Sequence, residues 1–353
     1  MRCQFVLAFI CLLGLHANLP AAGTSANKHF GKPAEWFGSD EAKLIAANIL
    51  SHQSPRGGWP SNTDTAAKLY DGDPAKLGST FDNSATTDEL RYLARMHVAT
   101  GQQQYADAFE RGLRYILEAR LPSGGWPQQY PHRGDYSQYI TYNDGTTVRL
   151  MFFCREVARD DSLYQFVPTA DRAAAMQAWD KGIEVILKTQ IRVDGKLTAW
   201  CAQHDQNDFT PKSARTFEPV STSGCETIGI VHALMAIEAP SREVVRAVDA
   251  AHAWLDSVKI VGIRVEDRPQ EGTPRGYDRF VVADPTAPPM WARFYEIGSN
   301  KPIFGDRDGK VYYDLADISI ERRTGYQWLK YWPKKFVDTE YPEWKAKLAV
   351  QPE

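Results

Sequence analysis

The tetrapeptide Gly-Gly-Trp-Pro occurs twice in this chain of 353 residues, each time after an amphipathic segment. The copies lie in RGGWPSNTD (56–64) and SGGWPQQYP (123–131), and DGKLTAW (194–200) stands in a similar place about 70 residues later. A repeat at this period predicts stacked helical hairpins, in which the apolar face of each unit is covered by the next. The loops 56–64, 123–131 and 194–205 are then expected at one end of the molecule.

The repeated tryptophans, Trp59 and Trp126, are interpreted as packing residues that fill the hairpins. The glycines before them are expected to end a helix in left-handed geometry, and the prolines after them prevent its continuation. The repeat is therefore structural first, and the chemistry must come from other segments.

Hydrophobic periodicity predicts seven helices, followed by a change of structure near residue 260. Segment 102–119 has the broadest apolar face, and Thr86 and Glu89 have the spacing of a capping box. Alternating residues after 260 predict short strands. The predicted fold is mainly α, with helical hairpins over about 39–258 and a mixed β and loop part over about 259–335. The helices are expected at 39–53, 86–101, 102–119, after 143–145, and at 168–189, 225–239 and 241–258.

The N-terminus has the layout of a secretory signal peptide: a basic residue, an apolar run over 5–15, and small residues up to Ala26. The run is shorter than the roughly 20 residues that a membrane span needs. We expect removal of 1–26, export to the periplasm or beyond, and a single catalytic domain over 27–353.

The balance of charge excludes some partners. The chain has 41 Lys and Arg against 44 Asp and Glu, a net charge of -3. No overall field attracts nucleic acid or an anionic membrane, so a polyanion would have to bind a local basic patch. Nothing in the sequence indicates an obligate assembly, so we expect a monomer.

Three cysteines, Cys154, Cys201 and Cys225, follow the predicted leader. A disulfide between Cys201 and Cys225 is one interpretation, and small buried thiols are the other.

Strong catalytic signatures are absent from the sequence, including CxxC, HExxH, GxSxG, the P-loop and GxGxxG. Two acidic segments stand out instead. STFDNSATTDEL contains Asp82 and Asn83, and ITYNDGTTVRL contains Asn143 and Asp144, each before a predicted helix. Such residues serve as caps and turns, but two pairs in equivalent repeat positions also suggest one shared calcium site, since calcium prefers carboxylate and amide oxygens.

The basic candidates are Arg215, Arg293 and Arg307, with Lys212 close to the first of them. An arginine binds a carboxylate through two hydrogen bonds, so arginines beside a calcium cluster would suit an acidic oligosaccharide. Each could also be an ordinary surface charge.

These segments together resemble the pectate lyases of polysaccharide lyase family 10, from about residue 40 to 330. The resemblance implies an irregular α/α toroid with a smaller β-containing part, and cleavage of polygalacturonate by calcium-assisted anti-β-elimination. The motifs, in order, are RGGWP, TFDNSATTDEL, LPSGGWPQQYP, YITYNDGTTVRLM, ARTFEP, MWARFYEI and PIFGDRDG.

By position, the resemblance implies that Asp82, Asn83 and Asp144 hold calcium, and that Asp82 also meets the substrate. It makes Arg215 the catalytic base and places Arg293 and Arg307 on substrate carboxylates.

Two positions depart from the family pattern: Ser84 and Thr146 replace an expected glycine and alanine. Both are expected to be tolerated if their backbone angles are ordinary. A guanidinium is a poor base at its usual pKa, so calcium and other cations crowding Arg215 are expected to lower that pKa.

Three alternatives remain open at this point. QxxxGGW at 53–59 also resembles terpene cyclase repeats, although RDDSL at 159–163 does not match their Asp-rich motif. A glycoside hydrolase could use Glu218 or Asp208 as a carboxylate pair member. A non-catalytic module could bind acidic glycans without a base.

Overall fold

The computed structural model describes residues 25–350. The predicted leader lies outside the described residues except for its last two positions. Ser25 and Ala26 are buried, and the Ser25 hydroxyl accepts a hydrogen bond from the Ala66 amide at 3.3 Å. The folded unit therefore includes two residues that the prediction assigned to the leader.

The helices follow the predicted order. Seven helices of ten residues or more lie between residues 40 and 257, as the periodicity predicts, and the described part of the chain adds two short helices and one near its C-terminal end that the sequence reading missed. They are α1 (Asp40–Ser51), α2 (Thr87–Thr100), α3 (Gln103–Ala119), α4 (Thr146–Arg159), α5 (Asp161–Tyr164), α6 (Thr169–Thr189), α7 (Glu226–Met235), α8 (Arg242–Ser257), α9 (Ile320–Gly325) and α10 (Tyr341–Val350).

Capping residues set the first boundaries. The Ser39 hydroxyl accepts from the Ala42 amide at the start of α1. At α2, Thr86 and Glu89 form the predicted capping box, with the Thr86 amide donating to the Glu89 carboxylate at 2.8 Å. Both caps satisfy amide groups that have no partner inside the helix.

The long helices form two layers. Helices α2, α4 and α7 are buried over most of their length and make up the inner layer. Helices α3, α6 and α8 lie outside them, with α6 in contact with both α3 and α8, and α1 packs on α2. This alternation of outer and inner helices is the irregular α/α toroid that the resemblance implies.

Four buried tryptophans tie the outer helices to the loops that follow them. Each indole N–H donates to a carbonyl close to the end of the preceding outer helix, at 2.7–2.8 Å. The packing role predicted for Trp59 and Trp126 is confirmed, and the structure extends it to two more positions. The donor and acceptor pairs are Trp59 and Ile49, Trp126 and Ile116, Trp200 and Ile186, and Trp291 and Leu255.

The glycines of the repeated loops serve a different purpose from the one predicted. Gly57 and Gly124 have φ of 100° and 114°, but they lie several residues beyond the ends of α1 and α3. A side chain at either position would collide with a backbone carbonyl of the next outer helix, at Arg111 or Lys181. The glycines therefore allow each loop to pack against the following hairpin, and do not cap the helix.

The strands are short except for one hairpin. Strands β7 and β8 pair antiparallel over seven residues each and confirm the strands predicted after residue 260. The strands are β1 (Ile140–Thr141), β2 (Arg192–Val193), β3 (Lys196–Leu197), β4 (Gln203–His204), β5 (Pro211–Lys212), β6 (Thr222–Ser223), β7 (Ile263–Pro269), β8 (Tyr277–Ala283), β9 (Trp291–Ala292), β10 (Phe294–Tyr295), β11 (Pro302–Gly305), β12 (Val311–Tyr312) and β13 (Leu329–Lys330).

The small sheets join distant parts of the chain. One has the order β12-β11-β10-β6, another β1-β4-β5, and three pairs complete the set among the described residues. In the first sheet Phe294 pairs with Ser223, which brings the segment around Arg293 to the start of α7. Strands from the middle of the chain thus contribute to the β part, which is not confined to the C-terminal third.

The three cysteines of the described chain are free thiols, so the Cys201 to Cys225 disulfide is not formed. Within residues 25–350 no helix is long and apolar enough to cross a membrane.

Candidate active site

Two short helical turns, Asp82–Ser84 and Asn143–Gly145, stand before α2 and α4, and we call them the first and second acid turns. Their backbones match. The middle residues, Asn83 and Asp144, have φ of 51° and 49°, and the residues after them have φ of 68° and 73°. The two predicted pairs therefore occupy equivalent positions in the repeat, at the starts of neighbouring inner helices.

The two departures from the family pattern behave differently. Thr146 has an ordinary helical φ of -50°. Ser84 has a φ of 68°, so the expectation of ordinary backbone angles is wrong there. Its hydroxyl accepts a hydrogen bond from Arg149 Nη1 at 2.7 Å, which offsets part of the cost of a left-handed serine.

Arg149, which the sequence reading missed, links the two acid turns. Besides Ser84 it donates to the backbone carbonyl of Asp144. Burial lowers the pKa of Arg149, while the nearby Asp88, Asp144 and Asp82 act in the opposite direction. The sequence signal for Arg149 was its position. It lies five residues after Asp144, in the first turn of α4, and so at the end of α4 that follows the second acid turn.

The carboxylates of Asp82 and Asp144 are close enough to repel each other. Burial and then Asp144 raise the pKa of Asp82, whereas Gln128, Arg149 and Arg215 lower it. The structure thus brings Asp82, Asp144 and Arg215 into one site, as predicted.

Arg293 is the buried centre of this site, at 6% exposure. Glu226 in the first turn of α7 raises its pKa above the usual range, against the lowering effect of burial. The Arg293 backbone is fixed by Trp328 on one side and Gly224 on the other. Its Nη2 donates to Asn143 Oδ1 at 3.1 Å, Asp144 Oδ1 at 3.1 Å and Glu226 Oε1 at 2.5 Å.

Arg293 therefore anchors the second acid turn to α7. Its Nε is buried without a hydrogen-bond partner among the described residues. Contact with a substrate carboxylate, the role predicted for it, would have to use a nitrogen other than Nη2.

Arg215 forms a bidentate ion pair with the buried Glu218. Its Nε and Nη2 donate to the two Glu218 oxygens at 2.8 and 2.5 Å, and Tyr326 donates to Glu218 Oε1 at 2.6 Å. Despite the lowering effect of burial, Glu218 raises the pKa of Arg215. The protein's own groups thus act in the direction opposite to the expected lowering, because a carboxylate is the charge nearest to the guanidinium.

Aromatic rings connect the arginines. The Tyr326 ring centroid is 4.6 Å from the Arg293 guanidinium and 5.7 Å from that of Arg215. The Phe217 ring centroid is 4.8 Å from Arg215 and 5.1 Å from Arg307. Guanidinium groups over ring faces are held in place while their edges stay available for hydrogen bonding.

Arg307 and Lys212 lie at the edge of the site. Arg307 is largely exposed and pairs with Glu321 at 3.2 Å. Lys212 on β5 pairs with Asp205 at 3.5 Å. Glu321 is the more exposed of the two partners, with 42% side-chain exposure against 20% for Asp205, and a substrate carboxylate could replace it.

The acid turns offer an incomplete set of ligands for a hard cation. No group of three or more His, Cys, Asp or Glu side chains in residues 25–350 is arranged to hold a metal ion. Asp82 and Asp144 supply two carboxylates, and the amide nitrogen of Asn83 points to Asp82 and Asn62, which leaves its oxygen free. This set fits calcium if further oxygens come from substrate and water.

The alternative enzymes find no support in the same residues. Glu218 is engaged by Arg215 and Tyr326, and Asp208 is exposed and bonded to Thr210 in its own turn. Asp160 of the RDDSL segment caps α5. Neither a carboxylate pair for hydrolysis nor an Asp-rich ionisation site is formed by these residues.

Comparison with known proteins identifies the family of the chain. A family model described as pectic acid lyase matches residues 53–337. The family 10 polysaccharide lyase from Cellvibrio cellulosa is 31% identical with a TM-score of 0.76, and the match covers 88% of this chain and 96% of that one. A mutant of that lyase in complex with trigalacturonic acid is 29% identical with a TM-score of 0.76, covering 91% and 99%. Among curated proteins no match was found. The chain belongs to the pectic acid lyase family.

Proposed function

We propose that the protein is a secreted pectate lyase that cleaves (1→4)-α-D-galacturonan by calcium-assisted anti-β-elimination. One observation carries the proposal: Asp82 and Asp144, from the turns that precede two separate inner helices, meet Arg293 and Arg215 in one site. The complex of the Cellvibrio cellulosa lyase with trigalacturonic acid supports an acidic oligosaccharide as the substrate.

Calcium would be held by Asp82, Asn83 and Asp144. When bound to the C6 carboxylate of a galacturonate, it withdraws charge and makes the C5 proton more acidic. Because the protein supplies few ligands, we propose that calcium binds more tightly when the substrate carboxylate is present.

The elimination forms and breaks defined bonds. A base takes the proton from C5, the C5–H electron pair becomes the C4–C5 double bond, and the C4–O bond breaks with its pair leaving on the glycosidic oxygen. That oxygen then takes a proton from solvent. The product is a 4,5-unsaturated uronate at the new end of the chain.

Arg215 is the proposed base. Its Nη1 makes no hydrogen bond to any described residue, so this nitrogen can face the C5 proton. Glu218 raises the pKa of Arg215, so the neutral guanidine needed for proton abstraction is scarce near neutral pH and becomes more populated only as the pH rises. We therefore propose that turnover increases towards alkaline pH.

Arg293 and Arg307 are the proposed contacts for substrate carboxylates. Arg307 can exchange its exposed partner Glu321 for a sugar carboxylate. Arg293 fixes Asp144 and stabilises the negative charge that develops beside it. Export through the N-terminal leader and a monomeric state complete the proposal.

The decisive experiment is a turnover assay with polygalacturonate and Ca²⁺. The expected product is the conjugated unsaturated uronate, detected by its ultraviolet absorbance, and a chelator is expected to abolish it. New reducing ends without this absorbance would show hydrolysis, and the lyase proposal would then be wrong.

Variants of Arg215 separate a lyase from a binding module. Arg215→Met combined with Glu218→Gln leaves no buried unpaired charge, so the fold should be retained. We expect turnover to be lost, while Arg192→Gln, a control at an exposed arginine on β2, should keep it. Undiminished turnover in the double variant would remove Arg215 from the mechanism.

A further inference from the structure

A polar cavity of about 320 Å³ opens beside Asp82. It lies between the two Gly-Gly-Trp-Pro loops and a short helical turn, Tyr136–Gln138. Its size falls at the lower end of the range for ligand-binding pockets. Its lining includes Ser79, Thr80, Asp82, Gln128, Arg133 and Tyr136.

We propose that this cavity binds a galacturonate unit beyond the one that is cleaved, and that Arg133 holds the carboxylate of that unit. The inference rests on the proposed function, because it places the next part of the same acidic chain.

The cavity is continuous with the candidate active site. Asp82 belongs to both. Tyr136 in its wall is close enough to Arg215, Glu218 and Asp82 for all three to act on its pKa, which burial raises. A chain gripped at Asp82 and Arg215 therefore has its neighbouring unit at this cavity.

The lining matches a sugar. Hydroxyl and amide groups of Ser61, Ser79, Gln128 and Gln129 surround the space, and the half-buried ring of Tyr136 offers an apolar face. Sugars present both kinds of surface, hydroxyl edges and C–H faces, so a mixed wall of this type is a suitable binding surface.

The state of Arg133 distinguishes it from the arginines of the active site. Arg215, Arg293 and Arg307 each pair with a carboxylate of the protein. The exposed guanidinium of Arg133 makes no hydrogen bond or ion pair with a side chain of residues 25–350, although its backbone amide donates to the Ser137 hydroxyl.

Asp135, whose pKa is lowered by hydrogen bonds from Ser137 and then by the nearby Arg133, is already engaged. Asp135, in the same lining, accepts the Ser137 amide at 2.9 Å and so caps the Tyr136–Gln138 turn. Arg133 thus remains available to a ligand carboxylate. The polymer supplies one carboxylate on each sugar, which makes a uronate the matching occupant.

The test compares the affinities of two matched ligands, hexagalacturonate and its fully methyl-esterified form. Calorimetry is done in the presence of a chelator, so that turnover does not consume the ligand. Arg133→Gln is expected to weaken binding of the acid form about tenfold, the loss of one charge-assisted contact, and to leave the ester unchanged. Arg133→Lys should restore part of the affinity. The control Arg192→Gln removes the same charge at a residue outside the cavity lining and should bind like the wild type.

Three results would overturn the proposal: equal affinity of Arg133→Gln and the wild type for the acid, an equal loss for acid and ester, or no detectable binding of hexagalacturonate by the wild type. The proposed lyase function fails differently, through the absence of unsaturated product with Ca²⁺. That outcome leaves the measured affinities, and the role of Arg133 in them, standing.

Discussion

The two acid turns share one backbone conformation and hold their acids differently. In the first turn Asp82 lies beside a cavity and its pKa is raised by burial and by Asp144. In the second turn Asp144 is bound by Arg293, which also binds the buried Glu226. The repeat thus supplies two copies of one scaffold, of which one presents a carboxylate to a ligand and the other is fixed to the core.

The starts of α2 and α4, which follow the two acid turns, also differ in their chemistry. Counting from the matching residues Asn83 and Asp144, Glu89 of α2 corresponds to Leu150 of α4. A buried acid at one position and a buried leucine at the other are tolerated because the glutamate caps its own helix. A shared backbone therefore does not require shared chemistry, and each difference between the turns can be tested.

The largest expected effect comes from breaking the anchor of the second turn. Arg293→Met leaves Glu226 buried without its partner, which should reduce the free energy of unfolding by about 3–5 kcal/mol. Urea denaturation measures the loss. The double variant Arg293→Met with Glu226→Gln should recover much of it, and a full loss in the double variant would contradict the ion-pair explanation.

Variants that neutralise one acid at a time distinguish the ligand-binding role of Asp82 from the anchoring role of Asp144. Asp82→Asn and Asp144→Asn should each lower turnover about 10²–10³-fold, the typical cost of removing one group that stabilises developing charge. Because a raised pKa means that the folded state disfavours ionised Asp82, Asp82→Asn should leave stability without calcium unchanged or higher. Asp144→Asn should lower stability, since Arg293 loses a partner. Activity assays and urea denaturation on the same preparations decide between these outcomes.

Glu89, the buried acid in the first turn of α2, is expected to make the free energy of unfolding depend on pH. Burial, and next Asp88, raise the pKa of Glu89 to about 8. Between the unfolded pKa of 4.5 and about 8, the folded state keeps a proton that the unfolded chain releases, so this residue makes stability fall as pH rises. Its contribution is at most about 1.4 kcal/mol per pH unit.

Glu89→Gln should flatten the pH profile of the free energy of unfolding in this window. Glu243→Gln, in the exposed first turn of α8, is the matched control and should leave the slope as it is. An unchanged slope in Glu89→Gln would mean that Glu89 is ionised in the folded protein at neutral pH.

The smallest effect concerns the residue that makes the first turn unlike the second. Ser84→Gly removes the cost of a left-handed serine but also the acceptor for Arg149, so the two changes should nearly cancel. Ser84→Ala keeps the cost and loses the acceptor, and should be less stable than Ser84→Gly by about 1 kcal/mol. Equal thermal midpoints for the two variants would show that the turn relaxes around residue 84.

Much of the helical scaffold could be predicted from sequence because its signals are local. Apolar spacing, Ser39 and the Thr86 and Glu89 box determine helices whose caps lie within a few residues. The fourth tryptophan of the series, Trp291, could not be found in this way. It lies 36 residues after its acceptor Leu255, because the β7 and β8 hairpin is inserted between them.

The residue types of the candidate site could be predicted from the sequence, but the pairing of its charged side chains could not. Asp82, Asp144, Arg215 and Arg293 do meet, but the sequence did not show that Glu218 would hold Arg215 or that Glu226 would hold Arg293. Glu218 acts on the pKa of Arg215 in the direction opposite to that expected from calcium and other cations.

The sequence by itself determined the period of the hairpins, the tryptophans that close them, and the acids and arginines placed at their ends. Only the tertiary structure decided which charges are paired, which are buried and which remain open to a ligand. The physical reason is the sequence separation of the residues that interact. Helix formation depends on neighbours within a turn or two, whereas the charge state of a guanidinium depends on contacts a few ångströms long, such as that between Arg293 and Asn143, which are 150 positions apart.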